Sequence, residues 1–74
     1  MRKFTLPVVI EKDSNGYSAF CPVLQGCYTQ GDTYEEVIVN IEDAIRLHII
    51  DRLASGEQIP TSDMVSLTTL EVQA

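Results

Sequence analysis

The side chains that could do chemistry in this chain of 74 residues are its eleven carboxylates, two cysteines and one histidine. Metal-dependent phosphodiester hydrolysis needs several carboxylates around two metal ions about 4 Å apart. The first predicted strand offers only Glu11, at its end. Asp32, Glu35 and Glu36 cluster where a helix should begin, and helix capping accounts for all three. The sequence therefore predicts no catalytic site of this kind.

Nucleophilic catalysis and zinc binding both need a histidine with suitable partners. His48 falls in the middle of a predicted helix, on its apolar stripe, and far in sequence from Cys21 and Cys27. We interpret it as a packed or boundary residue. The two cysteines could pair in an oxidising compartment, whereas in the cytosol we expect free, small apolar side chains. We predict neither a metal nor a cofactor.

Eleven acidic residues against five basic ones give the chain a net charge of −6 and an isoelectric point near 4.4. Direct nucleic-acid binding is not expected, because phosphate contacts need clustered Lys and Arg. An acidic surface would attract and orient a basic partner, although solubility alone explains the same composition. The candidate partner-binding residues are the acidic ones near the helix start and on its polar face, with two tyrosines as anchors: Asp32, Glu35, Glu36, Glu42, Asp43, Tyr28 and Tyr34.

Three short strands are predicted in the first part of the chain. Apolar residues alternate with other residues from Phe4 to Ile10, which is the period of a strand. Pro7 cannot donate a ladder hydrogen bond, so that strand should be unpaired or bulged there. The dipeptide Asn15-Gly16 predicts a hairpin turn and Tyr17 to Cys21 the returning strand. A third strand is expected at Cys27 to Gln30.

A helix and a last strand follow. Thr33 to Glu36 has the form of a capping box, apolar residues then recur at helical spacing, and Gly56 should end the helix near Ser55. Met64 to Val72 is predicted as a strand. Its alternation changes phase, which a bulge near Thr68-Thr69 or burial on both faces would explain.

The predicted order is β-β-β-α-β, an α+β fold in a single domain. Three strands form an antiparallel meander, and a right-handed crossover should place the fourth strand parallel to the first. One helix covers one sheet face and nothing covers the other, while Leu47 and Ile50 leave extra apolar helix surface. We therefore expect a homodimer or higher homo-oligomer. No apolar run is long enough for a membrane span and no secretory signal is evident, so a cytoplasmic location is expected.

Several segments together resemble one family. They are Gly16-Tyr17-Ser18-Ala19, Cys21-Pro22-Val23-Leu24-Gln25-Gly26-Cys27, Thr29-Gln30-Gly31-Asp32-Thr33, Glu35-Glu36 and Asn40-Ile41. Their types and spacings resemble those of the HicB antitoxin family over most of the chain, about residues 3 to 73. Val37 is a departure, since the family usually has alanine there. The resemblance implies a partial RNase H fold with the β-β-β-α-β order.

The resemblance also implies a function. A HicB-like protein is the non-enzymatic, cytoplasmic antitoxin of a type II toxin–antitoxin pair, and its partner is a HicA-like toxin, a small basic ribonuclease that cleaves mRNA. Many members carry a C-terminal DNA-binding domain, whereas we expect residues 1–74 to form one HicB-like domain without it. The alternative is a stand-alone, homo-oligomeric HicB-like module with a regulatory or ligand-binding role, and the neighbouring gene would distinguish the two. For Asn40 we favour bonding to backbone groups of the loop beside it over toxin contact.

Overall fold

The sheet is a three-stranded antiparallel meander followed by one helix. A computed structural model describes residues 3–60 and 64–74 of the chain. Its elements are the strands β1 (Val9–Asp13), β2 (Gly16–Phe20) and β3 (Tyr28–Gly31) and the helix α1 (Tyr34–Ala54). The strands lie in the order β1-β2-β3, with antiparallel pairing throughout. This part of the sequence prediction, an α+β meander with a helix after it, is confirmed.

The β1–β2 hairpin closes on a two-residue turn. Asp13 is paired with Gly16, which leaves Ser14 and Asn15 as the turn, and Asn15 N donates to Asp13 Oδ1 over 2.8 Å. Gly16 has φ +131°, and a Cβ there would lie 2.9 Å from the carbonyl oxygen of Gly31. A side chain at this position is thus excluded both by the backbone angle and by the neighbouring strand. The hairpin turn therefore lies directly beside the end of β3.

The first strand starts later than the alternation predicts. Its ladder to β2 begins with the pair Val9 and Phe20, and residues 3–8 belong to no strand. The reason is the early end of β2, because the chain turns away at Pro22 and residues before Val9 then have no β2 residue opposite them. Their apolar side chains keep the predicted role, however, since Leu6 packs against the hydrophobic core.

Both ends of the helix are capped as the sequence predicts. Thr33 Oγ1 accepts a hydrogen bond from Glu36 N over 3.0 Å, and Glu36 Oε1 accepts one from Asp32 N over 3.2 Å. The reciprocal bond of the capping box therefore goes to the residue before the cap. At the other end Gly56, with φ +76°, donates its N–H to the carbonyl of Leu53 over 3.1 Å, which closes the last turn.

The core lies between α1 and one sheet face. The helix packs against β3 and β2, so that β1 lies beyond its edge within the described residues. Gly31 allows the close approach, because a Cβ there would lie 2.7 Å from Val37 N. Among the described residues, six form the buried core: Ala19, Cys21, Leu24, Cys27, Val37 and Ile41. Both cysteines are free thiols within it.

The opposite face of the sheet is open. The register places Val9, Phe20 and Tyr28 side by side on the face that points away from α1. Val9 and Phe20 are half-buried, and Tyr28 is 56% exposed. No other element covers these side chains in the described part of the chain, as expected for a sheet with a single helix on one face.

The predicted fourth strand is absent from the described residues. Residues 64–74 form no strand, and all of them are exposed. The prediction of a strand at Met64–Val72, parallel to the first strand of the same chain, is therefore wrong for this structure. Alternation and β-branched side chains make a segment suitable for a strand, but a strand forms only where a partner edge pairs with it. The predicted loop over residues 57–63 lies partly outside the described residues.

Candidate protein-interaction surfaces

One end of the molecule collects carboxylates from two separate segments. Asp13 is the last residue of β1, next to the hairpin turn, and Asp32, Glu35 and Glu36 come from the start of α1; we call these four residues the acidic end. The pairing of Tyr17 with Gly31 brings the two segments together. Side chains of both segments line an open cleft of about 260 Å³. Asp13 is not among the partner-binding residues predicted from the sequence, although the Asn15-Gly16 dipeptide predicts that the chain reverses direction near it.

Two carboxylates of the acidic end accept hydrogen bonds, but none of the four forms a salt bridge within the described residues. Asp13 and Glu36 accept hydrogen bonds from backbone N–H groups, which carry no net charge. The nearest basic side chain along the chain, Lys12, lies with its Nζ 5.8 Å from the centre of the Tyr17 ring. Counting four carboxylates and this lysine gives a net charge of −3 for this end of the molecule. Such a surface attracts a positively charged partner.

The charges of Glu42 and Asp43, the candidate carboxylates on the polar face of α1, are neutralised in part. Arg46 binds Glu42 over 2.9 Å and Asp43 over 2.7 Å, and all three side chains are more than half exposed. Exposed pairs of this kind contribute little to stability. They do reduce the local charge, since two carboxylates and one guanidinium leave −1. Arg46 is not among the residues predicted from the sequence, although its spacing of three and four residues from these carboxylates is the signal for such pairs.

The two candidate tyrosines each keep about half of their surface exposed. Tyr34, 50% exposed, packs edge to face on Tyr17 with ring centres 6.2 Å apart and an interplanar angle of 81°. Tyr28 lines the cleft of the acidic end, and its hydroxyl accepts a hydrogen bond from Gln30 Nε2 over 2.9 Å. Both rings are held in place by neighbours while presenting an apolar surface, which is the arrangement of aromatic anchors at protein interfaces.

Asn40 joins the helix to the sheet. Its Nδ2 donates to the carbonyl oxygen of Gln30 over 2.8 Å, and Gln30 lies in β3. The bond satisfies a backbone acceptor at the sheet edge next to α1. Asn40 therefore bonds to the backbone as predicted, but its acceptor lies in a strand and not in a loop.

The groups that could support catalysis or metal binding are dispersed. Burial raises the pKa of the Cys27 thiol, and the neighbouring Cys21 raises it further. A thiol with a raised pKa is a weak nucleophile near neutral pH. Within residues 3–60 and 64–74, no three His, Cys, Asp or Glu side chains are grouped so as to hold a metal ion. In the same residues no helix is long and apolar enough to cross a membrane.

Fold and surface together define a small α+β domain that presents an acidic, tyrosine-bearing end to other molecules. Residues 6–73 match the family described as HicB_like antitoxin of bacterial toxin-antitoxin system, and the chain belongs to this family.

Relatives of the chain are found in bacteria and archaea. A UPF0150 protein of Synechocystis sp. is 44% identical over 63 residues, which are 84% of this chain and 80% of the relative. A UPF0150 protein of Thermoplasma acidophilum is 40% identical over 82% of this chain and 90% of its own length. A UPF0150 protein of Helicobacter pylori is 58% identical over 58% of this chain and 60% of its own length.

A solved structure has a similar fold. It is a HicA3 and HicB3 toxin-antitoxin complex, in which the similar chain is 27% identical, with a TM-score of 0.64 over 81% of this chain and 70% of that chain. The similarity extends the family assignment from sequence to three-dimensional structure.

Proposed function

We propose that this chain is the antitoxin of a HicA/HicB-type pair, which binds and neutralises a small basic ribonuclease that cleaves mRNA. The observation that carries the proposal is the family match over residues 6–73. The structural similarity to a chain of a HicA3 and HicB3 complex adds support, because that relative is found together with a toxin. The antitoxin acts by binding alone, in the cytoplasm, and its acidic HicB-like domain does not itself contact nucleic acid.

The acidic end is the surface on which we place the toxin. The acidic end has a larger negative charge than the region around Glu42 and Asp43, because these two carboxylates share Arg46. Tyr28 lines the cleft of the acidic end and Tyr34 directly precedes Glu35 at the start of α1, and both half-exposed rings supply apolar contact area. Charge guides the encounter and aromatic burial then holds the complex, which is the usual division of these roles.

The test is a kinetic binding series against the product of the gene beside this chain's gene, which we expect to be a HicA-type toxin. Long-range attraction between exposed charges is screened within about 10 Å at 0.1 M salt. We expect association to slow about tenfold between low and high salt, with a smaller change in dissociation. The variant Asp32→Lys/Glu35→Lys reverses two charges of the acidic end and leaves the helix cap of Thr33 and Glu36 intact. It should slow association to a similar degree.

Two further variants serve as comparisons. Asp51→Lys/Glu57→Lys makes the same change in net charge at the far end of α1, where both residues are exposed, and should leave the association rate nearly unchanged. Glu42→Lys/Asp43→Lys should have an intermediate effect. Equal effects of all three variants would contradict the placement of the toxin. Absence of binding by the unaltered chain would contradict the antitoxin function and favour a stand-alone module.

A further inference from the structure

An apolar groove runs along α1 beside the unpaired edge of the sheet. It consists of two adjoining clefts of about 260 and 540 Å³, which share Phe4, Glu42 and Ile45 in their linings. Leu6 and Val8 form one wall, and successive turns of α1 from Ile38 to Leu53 form the other. The groove lies where α1 passes over β2 and β3 but not over β1, within the described residues.

The same chain carries an exposed segment with complementary properties. Residues 65–72 are exposed throughout, including Leu67 at 75%, Leu70 at 77% and Val72 at 80%. So much exposed apolar surface on eight consecutive residues is unusual for a free segment of a soluble protein. Val65 and Leu67 are in one phase of the alternation and Leu70 and Val72 in the other, so an extended segment needs cover on both faces.

We propose that the groove binds residues 65–72 of a second copy of this chain, and that two copies exchange these segments reciprocally. Each copy then offers one segment and one groove, which gives a closed, two-fold symmetric dimer. An extended segment of eight residues is about 26 Å long at about 3.3 Å per residue. The helical wall of the groove, from Ile38 to Leu53, extends about 23 Å at 1.5 Å per residue. The segment is therefore similar to the groove in length.

Charge also favours a second copy at this place rather than elsewhere. Two chains of −6 repel each other, so they should meet where each carries least charge. The charged residues that line the groove, Glu42 and Arg46, are bonded to each other over 2.9 Å. The segment 65–72 contains one charged residue, Glu71. The acidic end, by contrast, would repel a second copy and attract a basic protein.

The edge strand gives the segment a backbone partner. In the described sheet β1 is an outer strand, and its exposed edge presents unpaired N–H and C=O groups to an added strand. Glu11, Lys12 and Asp13 occupy the far half of β1, while the half next to the groove is apolar. An added segment therefore gains hydrogen bonds from β1 and apolar contacts from the groove. The inference does not depend on a toxin and can be tested on this chain alone.

The experiment combines light scattering with isotope-filtered NMR on the full chain. We expect the unaltered protein to be dimeric at micromolar concentration. In a mixed sample of labelled and unlabelled chains, contacts between the methyl groups of Leu67 or Leu70 and those of Ile45 should be intermolecular. A monomeric protein would overturn the proposal, and so would a dimer in which these contacts occur within one chain.

Two variants locate the interface. Leu67→Asp/Leu70→Asp should weaken self-association roughly 100-fold or more, with unchanged helix content, because both side chains are exposed in the single chain. Leu47→Asp is the matched control, since Leu47 is 67% exposed on α1 but does not line the groove. It should leave the dimer intact. A dimer that survives the double substitution, or dissociates equally in the control, would refute segment exchange.

Discussion

The close approach of α1 to β3 makes Gly31→Ala the substitution with the clearest structural consequence. A Cβ at this position would lie 2.7 Å from Val37 N and 3.0 Å from Val37 Cα, whereas ordinary contacts begin near 3.4 Å. Backbone atoms cannot rotate away, so the helix must move by at least about 0.7 Å. We expect a loss of about 3 kcal/mol in the free energy of unfolding, at the upper end of overpacking effects.

The assay is thermal unfolding followed by circular dichroism at a fixed protein concentration. Because each kcal/mol lowers the melting temperature of so small a domain by roughly 4–8 °C, the decrease should be roughly 12–24 °C. Gly56→Ala is the control, since it places a side chain at φ +76° with nothing within 4 Å. It should cost only about 1 kcal/mol.

A second substitution tests the cause of the effect. The atoms nearest to the added methyl group are Val37 N, Cα and Cβ, and an alanine retains all three. Val37→Ala should therefore not restore the stability of Gly31→Ala. A rescue by this change would refute the reasoning, as would a Gly31→Ala protein that is no less stable than Gly56→Ala.

Three further outcomes follow from the described contacts. Thr33→Ala removes the acceptor for Glu36 N and should cost about 1 kcal/mol in urea unfolding, whereas Thr33→Ser should cost much less. Asn40→Ala leaves the carbonyl of Gln30 without its donor and should cost about 1 kcal/mol, and Asn40→Asp, which cannot donate, should not restore it. Burial raises the pKa of the Cys27 thiol in the folded chain. The protonated thiol should therefore stabilise the fold below the ordinary thiol pKa, and this stabilisation should decline as the pH rises above that value. In unfolding curves recorded at alkaline pH, a Cys27→Ala variant should lack this decline.

Local signals in the sequence predicted most of the fold. The helix begins after Thr33 and ends before Gly56 because caps act through residues next to one another in the chain. The hairpin was likewise predictable from Asn15-Gly16, although the turn itself lies one residue earlier, at Ser14 and Asn15, and Gly16 begins β2. The position of residues 64–74 was not predictable from the sequence. A strand pairs with an edge that is distant in the sequence, and the alternation of apolar residues does not identify that edge or the chain that supplies it.

The candidate surface was also predictable only in part, because some of its residues come together through contacts that are distant in the sequence. Asp32 and Glu36 are linked by the helix cap, which the local pattern encodes. Asp13 joins them only through the register of β2 with β3, which places Gly16 against Gly31. The partial neutralisation of Glu42 depends on where the Arg46 side chain settles among its neighbours.

Inhibition of toxin activity is the most direct test of the antitoxin function. The measurement is cleavage of an mRNA by the HicA-type toxin that we expect as the product of the neighbouring gene, while this chain is added in increasing amounts. Cleavage should fall to background near molar equivalence, and the Asp32→Lys/Glu35→Lys variant should need more protein or more time to reach the same inhibition. Cleavage that continues unchanged at a tenfold excess of the unaltered chain would contradict the proposed function.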